Sequence, residues 1–547
     1  MMYVLPAIAL AFVLQAPASR AKGSIEGTVV RAGTNDPIPR VQITALPFDP
    51  SHAPPTVVTD AQGHFLIKNL DPGTYSLEAE RNGFAPQRYG QRNPRRPGTE
   101  LNLDAGQELK GLVFTLTPAG AISGRVTDET GEPLVGINVG IERPIYDYNG
   151  KRQLSVQRSE KTDDRGEYRV FLLPPGQYYM RAVPQSSFTT RTMNPNYVAT
   201  YYPGVSDSAT AAVIEVGPGA EVGGIDLVLQ KQQLFSLHGR VVDAKTGKPP
   251  VSGLNFLLYH RGSRSAVPYG ALDYNPADGT FAVVNVPPGS YWIEAMLHTT
   301  RVEEQSRIKI ATRIALAPVD VTSSDVRNIV LLFSPDVSIR GRISVDNGSA
   351  VADLPDLNVF RLGLEPKESS GGWSPQPFET SIHPDGTFLI EGVQLGDYRL
   401  WLYARQAKYY LKAARFEGDD VLTGIHVSGP ASEDLEVVVG TDTAQFNGTV
   451  VDQDRKPASG VAVVLIPDRQ RDRRDLYRTV RTDQNGRFGL LPVVPGEYKL
   501  FAWEDLEGSQ YMDSDFLRKY EQLGTPVTVS PSGSMDFEAK LIPTSPQ

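Results

Sequence analysis

A two-part signature recurs five times along this 547-residue chain and constrains its fold more than any other feature. The fullest copy is Thr482-Asp483-Gln484-Asn485-Gly486-Arg487-Phe488, followed after six residues by Pro495-Gly496-Glu497-Tyr498. Two more are as complete: Thr59-Asp60-Ala61-Gln62-Gly63-His64-Phe65 with Pro72-Gly73-Thr74-Tyr75, and Thr162-Asp163-Asp164-Arg165-Gly166-Glu167-Tyr168 with Pro175-Gly176-Gln177-Tyr178. Two are weaker: Asp278-Gly279-Thr280-Phe281 with Pro288-Gly289-Ser290-Tyr291, and Asp385-Gly386-Thr387-Phe388 with Leu395-Gly396-Asp397-Tyr398. Gly73, Gly176, Gly289, Gly396 and Gly496 stand 103, 113, 107 and 100 residues apart. Solenoid repeats run ~20–50 residues, and one core rarely serves more than ~250. The period is therefore that of whole domains in tandem.

Each half of the signature predicts a turn. In the first, the Asp side chain bonds nearby backbone amides and Gly accepts a positive φ. In the second, Pro-Gly suits the central positions of a type II turn, with Gly in the left-handed site. The Phe or Tyr after each turn starts a strand. Every repeat opens on an alternating segment: Ser24 to Val30, Ala121 to Val126, Ser236 to Val241, Ser338 to Ile343 and Gln445 to Val450. A second alternating strand follows, such as Val461 to Leu465, and two more close the repeat, such as Leu101 to Leu103 with Leu112 to Leu116. About seven short strands per repeat without an amphipathic helix predict an all-β chain of antiparallel β-sandwiches. Five of them are expected, over residues 22–119, 120–233, 234–336, 337–442 and 443–547. Thr117-Pro118-Ala119-Gly120 is all that parts the first two. Such short linkers predict a semi-rigid rod of ~35 Å units, roughly 150 Å long.

Composition bounds the setting. Residues 1–18 read as an export signal, with an apolar run from Tyr3 to Leu14 and Ala16-Pro17-Ala18 as the cleavage site. That run is too short to span a bilayer, and no later stretch is apolar enough to form a transmembrane segment. Zero cysteines exclude disulfides and a lipid-modified N-terminal cysteine. An exported, cysteine-free chain is expected in a bacterial periplasm, at the cell surface or outside the cell. A net charge of −9 gives no overall field for nucleic acid or anionic lipid. The basic runs Arg88 to Arg96 and Arg469 to Arg474 read as solvated loops.

The Gly-x-Val openings (Gly27-Thr28-Val29, Gly124-Arg125-Val126, Gly448-Thr449-Val450), the Thr-Asp turns and the Pro-Gly-x-Tyr turns together resemble a tandem array of carboxypeptidase regulatory-like domains. The resemblance covers nearly the whole chain after the export signal. It implies a transthyretin-like (prealbumin-like) sandwich, similar to the carbohydrate-binding-like fold. It also implies an accessory role in binding or spacing, since family members serve on metallocarboxypeptidases, outer-membrane receptors and secreted bacterial proteins, usually without chemistry of their own.

No catalytic constellation is expected. A metallocarboxypeptidase needs a His-x-x-Glu pair and a further His around zinc, but none of the seven histidines has a His or Glu at i+3 or i+4. No Gly-x-Ser-x-Gly elbow, cysteine nucleophile or phosphate loop occurs. A calcium reading of Asp483-Gln484-Asn485-Gly486 loses to a plain Asx turn, because other copies put Ala61 or Arg165 at ligand positions. No catalytic residue, cofactor or metal is assigned.

The strand after Pro-Gly-x-Tyr carries the more informative signal. In phase with Tyr stand core residues such as Leu77 and Ala79, or Leu500 and Ala502. The opposite face is polar in the first repeat (Ser76, Glu78, Glu80) and aromatic in the others: Tyr179, Trp292, Trp401 and Tyr403, Phe501 and Trp503. Exposed, these rings could stack against pyranose faces or dock another envelope protein; alternatively, the segment that follows, or an adjacent sandwich, covers them. The expectation is a non-catalytic scaffold or adhesion-type binding protein of the cell envelope. The alternative is polysaccharide binding through Tyr179, Trp292, Trp401, Tyr403, Phe501 and Trp503.

Overall fold

The computed structural model describes residues 21–543 apart from 49–52, 92–97, 148–149, 185–196, 252, 262–266, 268–270, 304–306, 355–356, 368–377 and 405–407; side chains 299–312 are also left aside. The export signal and its cleavage site lie outside the described residues. The chain parts into two compact units after Pro118.

In the first unit, Gly23–Arg31 lies between His64–Leu70 and Glu108–Leu116 in one sheet, while Thr56–Val58, Gln42–Pro47 and Gly73–Glu80 build the second. Alternate residues of each strand turn inward. Ile25, Val29, Phe65, Ile67 and Phe114 thereby meet Ile43, Ala45, Leu77 and Ala79 in one core. In the second unit the plan recurs: four further apolar clusters each draw on two sheets and on the strands that the signature predicts.

Parallel pairing onto the opening strand departs from the antiparallel expectation in every repeat, and in the second Glu221–Val222 joins it as well. The closing strand runs parallel to the opening one: Glu108–Leu116 with Gly23–Arg31, Leu227–Leu229 with Gly120–Asp128, Val326–Phe333 with Phe235–Asp243, Leu435–Gly440 with Val337–Val345, and Ser534–Lys540 with Ala444–Val451. The sheets that hold the opening strands are therefore mixed, while the second sheets are antiparallel, as in Gln42–Pro47 with Gly73–Glu80 and Ala462–Pro467 with Gly496–Trp503. The glycine of each opening strand makes this pairing possible. A Cβ on Gly448 would sit 2.3 Å from the Phe537 carbonyl oxygen and 2.6 Å from the Phe488 ring. Gly27, Gly239 and Gly341 meet the equivalent carbonyl and ring.

The first turn forms as expected. Asp483 Oδ1 accepts from the Asn485 and Arg487 amides, both at 2.8 Å, and Gly486 has φ +73°. Asp60 and Asp163 do the same. The preceding Thr adds an unforeseen clasp. Buried Thr482 Oγ1 accepts from Val461 N–H at 2.9 Å and donates to the Ala458 carbonyl at 2.7 Å, tying the turn to the start of the second strand. Thr59 and Thr162 repeat it.

The second turn differs from expectation. Its glycines have φ between +150° and +159° and begin the strand, well away from the ~+80° of a type II turn. The Tyr two residues on reaches back over the turn in all five repeats, donating its hydroxyl proton to the carbonyl four residues before it. These are Tyr75 to Asp71, Tyr178 to Pro174, Tyr291 to Pro287, Tyr398 to Gln394 and Tyr498 to Val494, at 2.5–2.9 Å.

Inside residues 119–547 the sandwiches are not simply strung in succession. Gln510 of the fifth repeat donates to Tyr146 of the second at 3.5 Å, and Gly150 abuts the backbone of Met512 and Asp513. A linear array of the repeats in this unit would keep the second and fifth apart.

Candidate functional site

The outer faces of the second sheets are built by one rule and end in different states. Along Gly496–Trp503, Tyr498, Leu500 and Ala502 enter the core, which leaves Lys499, Phe501 and Trp503 on the other side. Phe501 and Trp503 are nevertheless buried. The segment after the strand folds back over them as the helix Ser514–Tyr520, whose cap Asp513 accepts from the Asp515 and Phe516 amides. Trp503 packs against Phe516 and Tyr520, each with ring centroids 5.9 Å away. With Val464, Ile466, Leu506, Tyr511, Leu517 and Ile542 they form a second apolar cluster. Of the two alternatives, cover by the segment that follows applies to Phe501 and Trp503: they are core residues of an added layer.

That layer is pinned by charge. Glu521 accepts from Arg471 at 3.0 and 2.8 Å and from Lys499 at 2.6 Å. The Arg471 bonds, then Lys499, hold its carboxyl down to about 2. The run Arg469 to Arg474 is therefore not a solvated loop throughout. Arg473 is buried, paired with Asp475 at 2.7 and 2.6 Å, and donates to the Leu411 carbonyl of the fourth repeat at 3.0 Å.

In the third repeat Trp292 is half-buried under the Arg261 guanidinium, 5.7 Å from the ring, and Arg261 also pairs with Asp320 at 3.2 Å. In the second, Tyr179 is half-buried and stands in register with Glu142. Glu142 is buried, pairs with Arg181 at 3.4 Å and accepts from Tyr201 at 3.2 Å. Burial pushes the Tyr201 phenol up to about 12.

The fourth repeat keeps the open face. Tyr403 is 55% exposed, and half-buried Trp401 lies over Gly363, where a Cβ would come 2.5 Å from the indole Nε1. That glycine leaves room for the flat ring. Arg361 and Glu365 on the neighbouring strand, with Arg399 beside Trp401, edge the platform, and His426 pairs with Asp397 at 2.9 Å at one end. This arrangement can stack against a flat, partly apolar ligand and bond its polar rim. The six aromatics do not form one site: Phe501 stacks on Trp503 and Trp401 shares a strand with Tyr403, but Tyr179, Trp292 and these two pairs stand on four separate sheets. In the first repeat the corresponding face is polar, with Ser76 and Glu78 half-buried and Glu80 exposed.

A cleft of about 480 Å³ opens between the fourth and fifth repeats, lined in part by Tyr410, Lys412, Asp442, Arg473, Glu497 and Tyr498. Tyr410 donates to Asp442 at 2.7 Å there. Only Glu497 and Tyr498 of these six stand in the signature, so its spacing gave no pointer to the others. Among the described residues, no cluster of three His, Asp or Glu could hold a metal ion.

Residues 24–117 and 121–200 match the carboxypeptidase regulatory-like domain family. A TonB-dependent transporter, Oar, of Myxococcus xanthus is 33% identical over 121 residues, 22% of this chain and 11% of the transporter. The chain thus spans about a ninth of that relative's length. Solved structures that match part of the chain include GBS52, the minor pilin of Streptococcus agalactiae, at 14% identity over 39% of this chain and 97% of that one, with a TM-score of 0.21. The shaft pilin SpaA of Lactobacillus rhamnosus GG matches at 12% identity over 39% and 99%, with a TM-score of 0.18.

Proposed function

We propose that this chain is a non-catalytic, exported scaffold or adhesion-type binding protein of the bacterial cell envelope. The observation that carries the reading is how the repeated residues are used. Gly448, Thr482, Asp483, Gly486 and Tyr498, with their counterparts, are engaged in backbone hydrogen bonds, turn geometry and core contacts. What recurs is scaffold; what varies is the outer face of each repeat. The regulatory-like domain match and the short match to a TonB-dependent transporter support an envelope setting.

The second reading, polysaccharide binding, rests on Trp401 and Tyr403 alone of the six aromatics, since these form the open platform. The purified chain is presented to a panel of insoluble polysaccharides and, separately, to immobilised envelope proteins. Retention on a polysaccharide that is lost in Trp401→Ala and Tyr403→Ala selects the second reading. Retention on an envelope protein selects the scaffold. Turnover in a hydrolase and peptidase screen overturns both.

A further inference from the structure

Glu294 lies on the outer-phase side of the strand Gly289–Glu303, between Leu257 and Leu316 in register and two residues from both Trp292 and Met296. It is 1% exposed, and among the described residues neither carboxyl oxygen has a hydrogen-bond partner. A carboxylate buried without a partner is strongly disfavoured, so the group prefers the neutral form or hydration. Two other repeats approach this sheet. The charges of Arg181 and Asp207 from the second act on His260, and the Gln394 amide of the fourth binds both the N–H and the carbonyl of Ile314 at 3.1 and 2.9 Å.

We propose that Glu294 is a pH-operated latch: protonated, it permits close packing over the third repeat's outer face; ionised, it loosens that packing and bares Tyr259, Trp292 and Met296. Burial is the sole cause of its pKa rising to about 7. The charged or titratable groups around the face are Tyr259, Arg261 and Asp320 on its own sheet, with His260 at the strand end on the core-phase side against Tyr291, and Arg181 and Asp207 from the second repeat. None of them contributes to the shift. Arg261 is engaged with Asp320 and Arg181 with Glu142. The folded value of about 7 lies above the ordinary 4.5. The packing is therefore fully stabilised below about pH 4.5, weakens as pH rises to about 7, and stays weakened above that.

The test follows backbone hydrogen exchange at residues 289–297 in the full chain from pH 5 to pH 8, corrected for the intrinsic pH dependence of exchange. The opening equilibrium is expected to rise up to about tenfold per pH unit between pH 5 and pH 7 and then level off. Glu294→Gln keeps the shape without the charge and is expected to abolish that rise. A wild-type opening equilibrium that stays constant across the range overturns the proposal, as does a Glu294→Gln chain that keeps the wild-type dependence. If the variant does not fold, the wild-type profile decides.

Discussion

The rings of Phe501 and Trp503 lie parallel, with centroids 4.7 Å apart and planes within 1° of each other. Residues two apart on a strand share a face, and here that face is closed by the helix Ser514–Tyr520. Trp503→Ala is expected to cost about 3–5 kcal/mol, as for other buried Trp truncations. Trp401→Ala, on the open platform, is expected to cost about 1–2 kcal/mol because less apolar surface leaves water there. Denaturant midpoints read by hydrogen exchange in the two repeats distinguish the cases. Equal losses at the two positions would show the platform to be core as well.

The Thr482 clasp gives a second prediction. Its hydroxyl is buried and bonds both Val461 N–H and the Ala458 carbonyl. Thr482→Val keeps the volume but leaves two backbone groups unpaired, at a cost of about 2 kcal/mol. Thr482→Ser keeps both bonds and is expected to lose less than half as much. Thermal or denaturant unfolding of the two variants side by side checks the ranking.

The strands and the first turn were legible because they rest on local pattern: alternation reads as strand, and Asp483 with Gly486 as an Asx turn. The clasp was not, since the partners of Thr482 stand more than twenty residues upstream. Alternation carries no direction, so it could not show that Ser534–Lys540 runs parallel to Ala444–Val451. Nor does it show whether an outward face stays open. Phe501 and Tyr403 read alike in sequence, but a seven-residue helix, too short to present a clear helical period, covers only the first.

The charge cluster over that added layer predicts an acid response. Glu521 is held at about 2, below its ordinary 4.5, by Arg471 and then Lys499. Its contribution is therefore present above about pH 4.5 and is lost as pH falls toward 2. Glu521→Gln is expected to cost about 1 kcal/mol at pH 7 and almost nothing at pH 2. Hydrogen exchange at residues 504–524 reads this locally. An equal loss at both pH values would trace the effect to shape instead of charge.

Gly448 is the most restrictive position in the fifth repeat. An added Cβ would meet the Phe537 carbonyl at 2.3 Å and the Phe488 ring at 2.6 Å. The carbonyl belongs to the parallel closing strand and the ring to the signature, so relief requires either loosening that pairing or driving Phe488 from the core. Gly448→Ala is expected to cost about 3 kcal/mol, at the upper end of ordinary overpacking. Gly489→Ala is the control. It lies on the adjacent strand, opposite Asn447, and its nearest neighbour would be Asn447 Oδ1 at 3.2 Å, on a side chain that can rotate away. Its cost is expected to stay under about 1 kcal/mol. Denaturation of both variants, read at residues 444–451 and 534–540 by hydrogen exchange, tests whether this glycine is what lets the closing strand dock. Similar small losses in the two would show that the strand pair yields without it.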